Sequence, residues 1–146
     1  MLVGFALAAS AAAQDAQFIP ITGPDDLIYA GTAVNEDGTV VLGARYDPMG
    51  MHSRAFIWSR PTGVQFLAPD SAEFSLEQAG GLSSDGLVIA GSGRTATGEL
   101  TRAFRWTAAD GPYWLACPCT FSRSEAFGIS ADGAVIAGVG RSPDGH

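Results

Sequence analysis

Apolar residues in this chain fall into short runs, each broken by glycine, aspartate or small polar residues, and the runs recur on a fixed period. Asp37-Gly38, Asp85-Gly86 and Asp132-Gly133 stand 48 and then 47 positions apart. After each pair comes an apolar run ending in glycine: Val40-Val41-Leu42-Gly43, Val88-Ile89-Ala90-Gly91 and Val135-Ile136-Ala137-Gly138. Arg54-Ala55-Phe56-Ile57-Trp58 returns 48 residues later as Arg102-Ala103-Phe104-Arg105-Trp106. Such self-similarity is the mark of a supersecondary unit copied in tandem.

Each unit predicts four short strands. The first ends at Val34, Leu82 or Ile129, and the Asp-Gly pair turns the chain into the second, because glycine accepts the positive φ of a tight hairpin. The second is expected to end near Gly43 and Gly91. A variable loop follows, 47–53 in one unit and 95–101 in the next. The third strand carries Phe56 and Trp58, or Phe104 and Trp106, two apart and so on one face. Burial of each ring stabilises by roughly 2–3 kcal/mol. Turns at Thr62-Gly63 and Asp110-Gly111 lead into the fourth strand, Gln65-Phe66-Leu67 or Tyr113-Trp114-Leu115. The one hint of helix, Glu73 to Ala79, is stopped by Gly80-Gly81. The expected fold is all-β: tandem four-stranded antiparallel repeats of about 48 residues, with the size of β-propeller blades.

Gln17-Phe18-Ile19 aligns with Gln65-Phe66-Leu67, so the chain is expected to open on a lone fourth strand, run through two whole units and stop after the second strand of another. That is about two and a half blades, where propellers have roughly 4 to 8. The expectation is a segment of a longer gene product; the alternative is association with other copies to complete a ring.

Charge and compartment narrow the functional classes. The formal net charge is −7 with 16% charged residues, and all eight cations are scattered arginines. This excludes the basic patch that a nucleic-acid partner requires. Residues 1–13 are uncharged, apolar and rich in alanine, and end in Ala11-Ala12-Ala13; they read as a secretory signal peptide lacking the usual positive start. They are too short to span a bilayer, which takes about 20 residues. Residues 14–146 are then the mature repeat region.

Candidate chemistry is sparse. Cys117-Pro118-Cys119 lies outside the repeat framework, and a bridge across one residue has poor geometry; without nearby histidines it also falls short of a zinc site. The Asp-Gly carboxylates suggest calcium, which takes about 6 to 8 oxygens, but an aspartate capping its own turn explains them better. His52 and His146 accompany no nucleophile motif. Asp25-Asp26 and Glu73 to Glu77, placed on inter-unit loops, are the carboxylates available for glycoside chemistry, and solvated loop charge is the plainer reading. Arg54 and Arg102 occupy equivalent positions, which suggests framework pairing before anion binding. Tyr46 and Phe121 are the aromatics outside the framework that could offer a sugar platform. No catalytic, cofactor-binding or metal-ligating residue is assigned, and no cofactor is expected.

Taken together, Ile129-Ser130-Ala131-Asp132-Gly133-Ala134-Val135-Ile136-Ala137-Gly138 and Ala103-Phe104-Arg105-Trp106 resemble the HAF family of probable extracellular repeats, over nearly everything after residue 17. Arg54 and Arg102 stand where the family's motif has histidine. The resemblance implies a secreted or surface-exposed, propeller-like bacterial protein, with members often joined to a C-terminal surface-anchoring region. It carries no catalytic residues over. The leading expectation is a non-enzymatic scaffold or adhesin-like binding module for a surface glycan or protein; the alternative is a segment of a propeller hydrolase or lyase whose active site lies in other blades.

Overall fold

The computed structural model describes residues 18–25, 27–49, 53–67, 74–95, 101–116 and 122–142. Among them are ten strands and no helix: β1 (Ile28–Val34), β2 (Val40–Tyr46), β3 (Ser53–Ser59), β4 (Gly63–Phe66), β5 (Phe74–Leu82), β6 (Val88–Thr95), β7 (Thr101–Thr107), β8 (Gly111–Trp114), β9 (Arg123–Ile129) and β10 (Ile136–Arg141). They form antiparallel sheets in the orders β1-β2-β3-β4, β5-β6-β7-β8 and β9-β10. The first two sheets share a register: Val41 faces Trp58 and Gly43 faces Phe56, as Ile89 faces Trp106 and Gly91 faces Phe104.

The Asp-Gly turns form as their sequence dictates. Gly38, Gly86 and Gly133 have φ of 74°, 76° and 72°. In the second turn, Ser83 Oγ donates to Asp85 Oδ1 at 2.6 Å, and the Leu87 N–H donates to the same oxygen at 2.9 Å. The Val88 N–H donates to Ser83 Oγ at 2.9 Å. Ser130, Asp132, Ala134 and Val135 repeat the set, and in the first turn Asn35 and Thr39 supply the equivalent bonds. These interactions span five residues at most, which is why the turn is legible in the local sequence.

Three expectations need correction. Gly43 and Gly91 do not end the second strand; β2 and β6 continue to Tyr46 and Thr95. Their missing side chains serve packing: a methyl at Gly91 would lie 2.1 Å from Gln78 O and 2.8 Å from Phe104 Cζ, and Gly43 meets Ala30 O and the Phe56 ring likewise. The ring of the facing phenylalanine fills the space each glycine leaves. Second, the helical hint before Gly80-Gly81 is overridden, since 74–82 is strand β5. Gly80 and Gly81 lie against the β9 backbone, where a methyl would come within 2.1 Å of Ala126 O. Third, Phe18 and Ile19 form no strand, and Phe18 is 94% exposed; a ladder needs a neighbour, and no described strand pairs with them. The expected signal segment, 1–13, and Gln17 lie outside the described residues.

The sheets pack face to face. Leu42, Ala55 and Leu67 of the first meet Leu76, Ile89 and Phe104 of the second, with Trp106 and Trp114 packed against them. The Trp106 indole N–H donates across this interface to Leu67 O at 2.7 Å. The second contact uses smaller residues, Ala90 and Ala103 against Ala126, flanked by Leu115, Ile129 and Ile136. At the turn end, backbone bonds run from sheet to sheet: Glu36 N–H to Ser84 O at 3.2 Å, then Ser84 N–H to Ala131 O at 2.9 Å.

Candidate functional site

Tyr29 and Arg45, which break the match between the first two sheets, meet Asp25 and Arg54 on the outer face of the first. Register sets Tyr29 opposite Arg45 and Arg45 opposite Arg54, so the three form a row across β1, β2 and β3 on one face. Two facing guanidiniums repel unless they are paired. Asp25, just before β1, supplies the counter-charge: Arg45 Nη1 donates to its Oδ2 at 3.2 Å. The Tyr29 hydroxyl donates to Asp25 Oδ1 at 2.9 Å, with the Leu27 N–H at 3.4 Å. Phe66 supplies a π face, with the guanidinium carbons of Arg54 and Arg45 at 4.1 and 5.2 Å from its centroid. Tyr29 also meets Phe56 edge to face at 5.5 Å.

The electrostatics favour fastening over catalysis. Burial first, then the hydrogen bond and charge of Asp25, raise the Tyr29 pKa above its ordinary 10.0, while Arg45 opposes them. The phenol therefore stays protonated as a donor at neutral pH. Asp25 accepts from three donors, and its part-exposed ion pair with Arg45 is worth about 0–1 kcal/mol. The cluster ties the segment before β1 to the sheet. In the second sheet, Glu77 and Gly93 stand 48 residues beyond Tyr29 and Arg45. Glu77, expected on a loop, lies in β5 and pairs with Arg94 of β6 at 3.2 Å.

The turn carboxylates are committed to their own turns. Hydrogen bonds from Thr39, Ser83 and Ser130 side chains, then from backbone amides, hold Asp37, Asp85 and Asp132 below the ordinary 3.8. No group of three His, Cys, Asp or Glu capable of holding a metal occurs among the described residues.

An open cleft of about 1140 Å³ lies between the 18–21 segment and the outer face of the first sheet. Ile19, Ile21, Val34, Gly38, Val41 and Trp58 are among its walls. A shallower hollow of about 230 Å³ lies where Ala103 and Leu115 of the second sheet approach Ala126 and Ile136 of the third.

Of the residues singled out in the sequence, Asp26, His52, Glu73, Cys117, Cys119, Phe121 and His146 lie outside the described residues. Tyr46 closes β2, and Arg102 is exposed on β7 opposite Gly93. Arg54 joins the cluster with Asp25. Tyr29 and Arg45 escape a search for motifs; the available signal was that both break the match between the first two units. Comparison of the chain with protein-family models, with curated proteins and with solved structures returns no match.

Proposed function

We propose that this chain is part of a secreted or surface-exposed bacterial repeat protein of the HAF type, a non-enzymatic propeller-like scaffold or adhesin-like binding module. The observation that carries the reading is the way successive antiparallel sheets stack face to face. The turn-to-turn backbone bonds through Glu36, Ser84 and Ala131 recur with each sheet added. A stack of this kind invests its recurrent residues in the framework and offers its loops and outer faces for contact. The carboxylates of Asp37, Asp85 and Asp132 are spent on turns, and those of Asp25, Glu77 and Glu125 pair with arginines of their own sheets. Export rests on the apolar, alanine-rich 1–13 segment.

The test is expression of the full chain with a C-terminal tag in a Gram-negative host, followed by cell fractionation and intact mass measurement. The expected product is exported and cleaved after Ala13, and it retains surface polysaccharides without releasing reducing or unsaturated ends. Retention in the cytoplasm with residues 1–13 intact defeats the secretion reading. Catalytic release of new chain ends defeats the non-enzymatic one.

A further inference from the structure

One contact is made twice among the described residues, and each of its halves occurs there once more without its counterpart. The turn of the second sheet sits on the start of β2, where a methyl at Gly86 would lie 3.2 Å from Val40 Cγ2. The turn of the third sits on Val88 in the same way, where a methyl at Gly133 would lie 2.8 Å from Val88 Cγ2. Among the described residues nothing lies beneath the turn of the first sheet: a methyl at Gly38 would meet no atom within 4 Å. Among the described residues nothing covers the corresponding valine of the third sheet. Val135 is 66% exposed, whereas its counterpart Val88 is 9% exposed. Ala137 and Val139 are likewise exposed, although Ala90 and Ser92, 47 positions earlier, are buried. The backbone ladder has the same polarity. Each N–H at this turn position donates to the carbonyl of the next sheet, from Glu36 to Ser84 and from Ser84 to Ala131. The carbonyl of Glu36 and the N–H of Ala131 are the corresponding terminal groups.

We propose that these two faces dock on each other between two copies of the chain, head to tail. Val135 of one copy lies under Gly38 of the next, and the Ala131 N–H of the first donates to the Glu36 carbonyl of the second. The interface continues the two already present, with the same valine-under-glycine fit and the same direction of hydrogen bonding. The approach is through the open cleft, with Val34, Gly38 and Val41 on one wall and the 18–21 segment on the other, so the incoming sheet seats at the turn end beside that segment. The contact joins different surfaces on the two copies, so it propagates until a ring closes and does not stop at a symmetric dimer. The proposal rests on the stacked-sheet reading and not on secretion or ligand binding.

Sedimentation velocity on the full chain over a hundredfold concentration range tests it, with Val34→Arg and Val135→Arg as variants. Both side chains are exposed in the single chain, so both variants are expected to fold. The wild type is expected to associate with rising concentration, and each variant at least about tenfold more weakly, because arginine would be buried unpaired. An equimolar mixture of the two variants retains one sound copy of each face and is expected to form one-to-one complexes. A wild type that stays monomeric with an intact near-UV aromatic spectrum overturns the proposal and leaves the stacked sheets standing. Association that the mixture fails to recover overturns the head-to-tail geometry. Loss of the aromatic spectrum in the wild type overturns the stacked-sheet reading and the proposal with it.

Discussion

Removing one hydroxyl from a turn should cost different amounts in two places that share the same hydrogen bonds. Ser83 and Ser130 each accept from a backbone N–H at 2.9 Å, that of Val88 or Val135, and each donates to its turn aspartate at 2.6 Å. Their surroundings differ. Ser83 is fully buried, whereas Ser130 is part-exposed and Val135 largely open to water. Ser83→Ala leaves the Val88 N–H without its acceptor in a place water reaches poorly, a loss of about 1–3 kcal/mol. Ser130→Ala lets water replace the hydroxyl at the Val135 N–H, so only the net value of an exposed bond is lost, about 0.5–1 kcal/mol. Against a total stability of about 5–15 kcal/mol for a domain, the first loss is large. Urea unfolding followed by tryptophan fluorescence measures both. With a slope of about 1.5 kcal/mol/M, Ser83→Ala lowers the midpoint by roughly 0.7–2 M, and Ser130→Ala by less than about 0.7 M. Equal losses in the two variants, or a larger one at Ser130, would refute the argument that burial sets the value of this bond.

Two further outcomes follow from the turns and the glycines. Asp37, Asp85 and Asp132 have folded pKa values below the ordinary 3.8, so their carboxylates favour the folded state in full above that value and lose the effect as pH falls through 3.8 toward the folded values. Urea midpoints should therefore drop on acidification across this window, and Ser83→Ala should flatten the drop; a wild-type midpoint unchanged down to about pH 3 would contradict it. Gly63 and Gly91 should respond oppositely to substitution. Gly63 needs φ of 67° but has open space, so Gly63→Asn is tolerated within about 1 kcal/mol, since asparagine enters this region readily. At Gly91 a methyl meets Gln78 O and Phe104, so Gly91→Ala costs about 1–3 kcal/mol or more by prising β5 and β6 apart. Thermal unfolding that ranks the two substitutions the other way would show that conformation, not contact, governs both glycines.

What the amino-acid sequence determined by itself is what lies within a few residues. The Ser83-x-Asp85-Gly86 turn and its counterparts close on bonds of two to five positions, so their chemistry is complete in the local string. The strand ends at Val34, Leu82 and Ile129 follow from those turns. The 48-residue spacing likewise carries the matching cross-strand pairs of the first two sheets. Tertiary structure decided whatever depends on a neighbour brought in from elsewhere. Gly43 and Gly91 look like strand ends in one dimension, yet each lies mid-strand, because a phenylalanine from the next strand occupies the space they leave. The stretch before Gly80-Gly81 becomes strand because β6 pairs along it, while the two glycines let the β9 backbone approach. Phe18 and Ile19 carry a strand pattern without a strand, because pairing requires a partner edge. Tyr29, Arg45 and Asp25 belong together only through the register of β1 on β2, which no motif records. Hydrogen bonds within a turn are set by chain connectivity, whereas contacts between strands and sheets exist only once the long-range register is chosen.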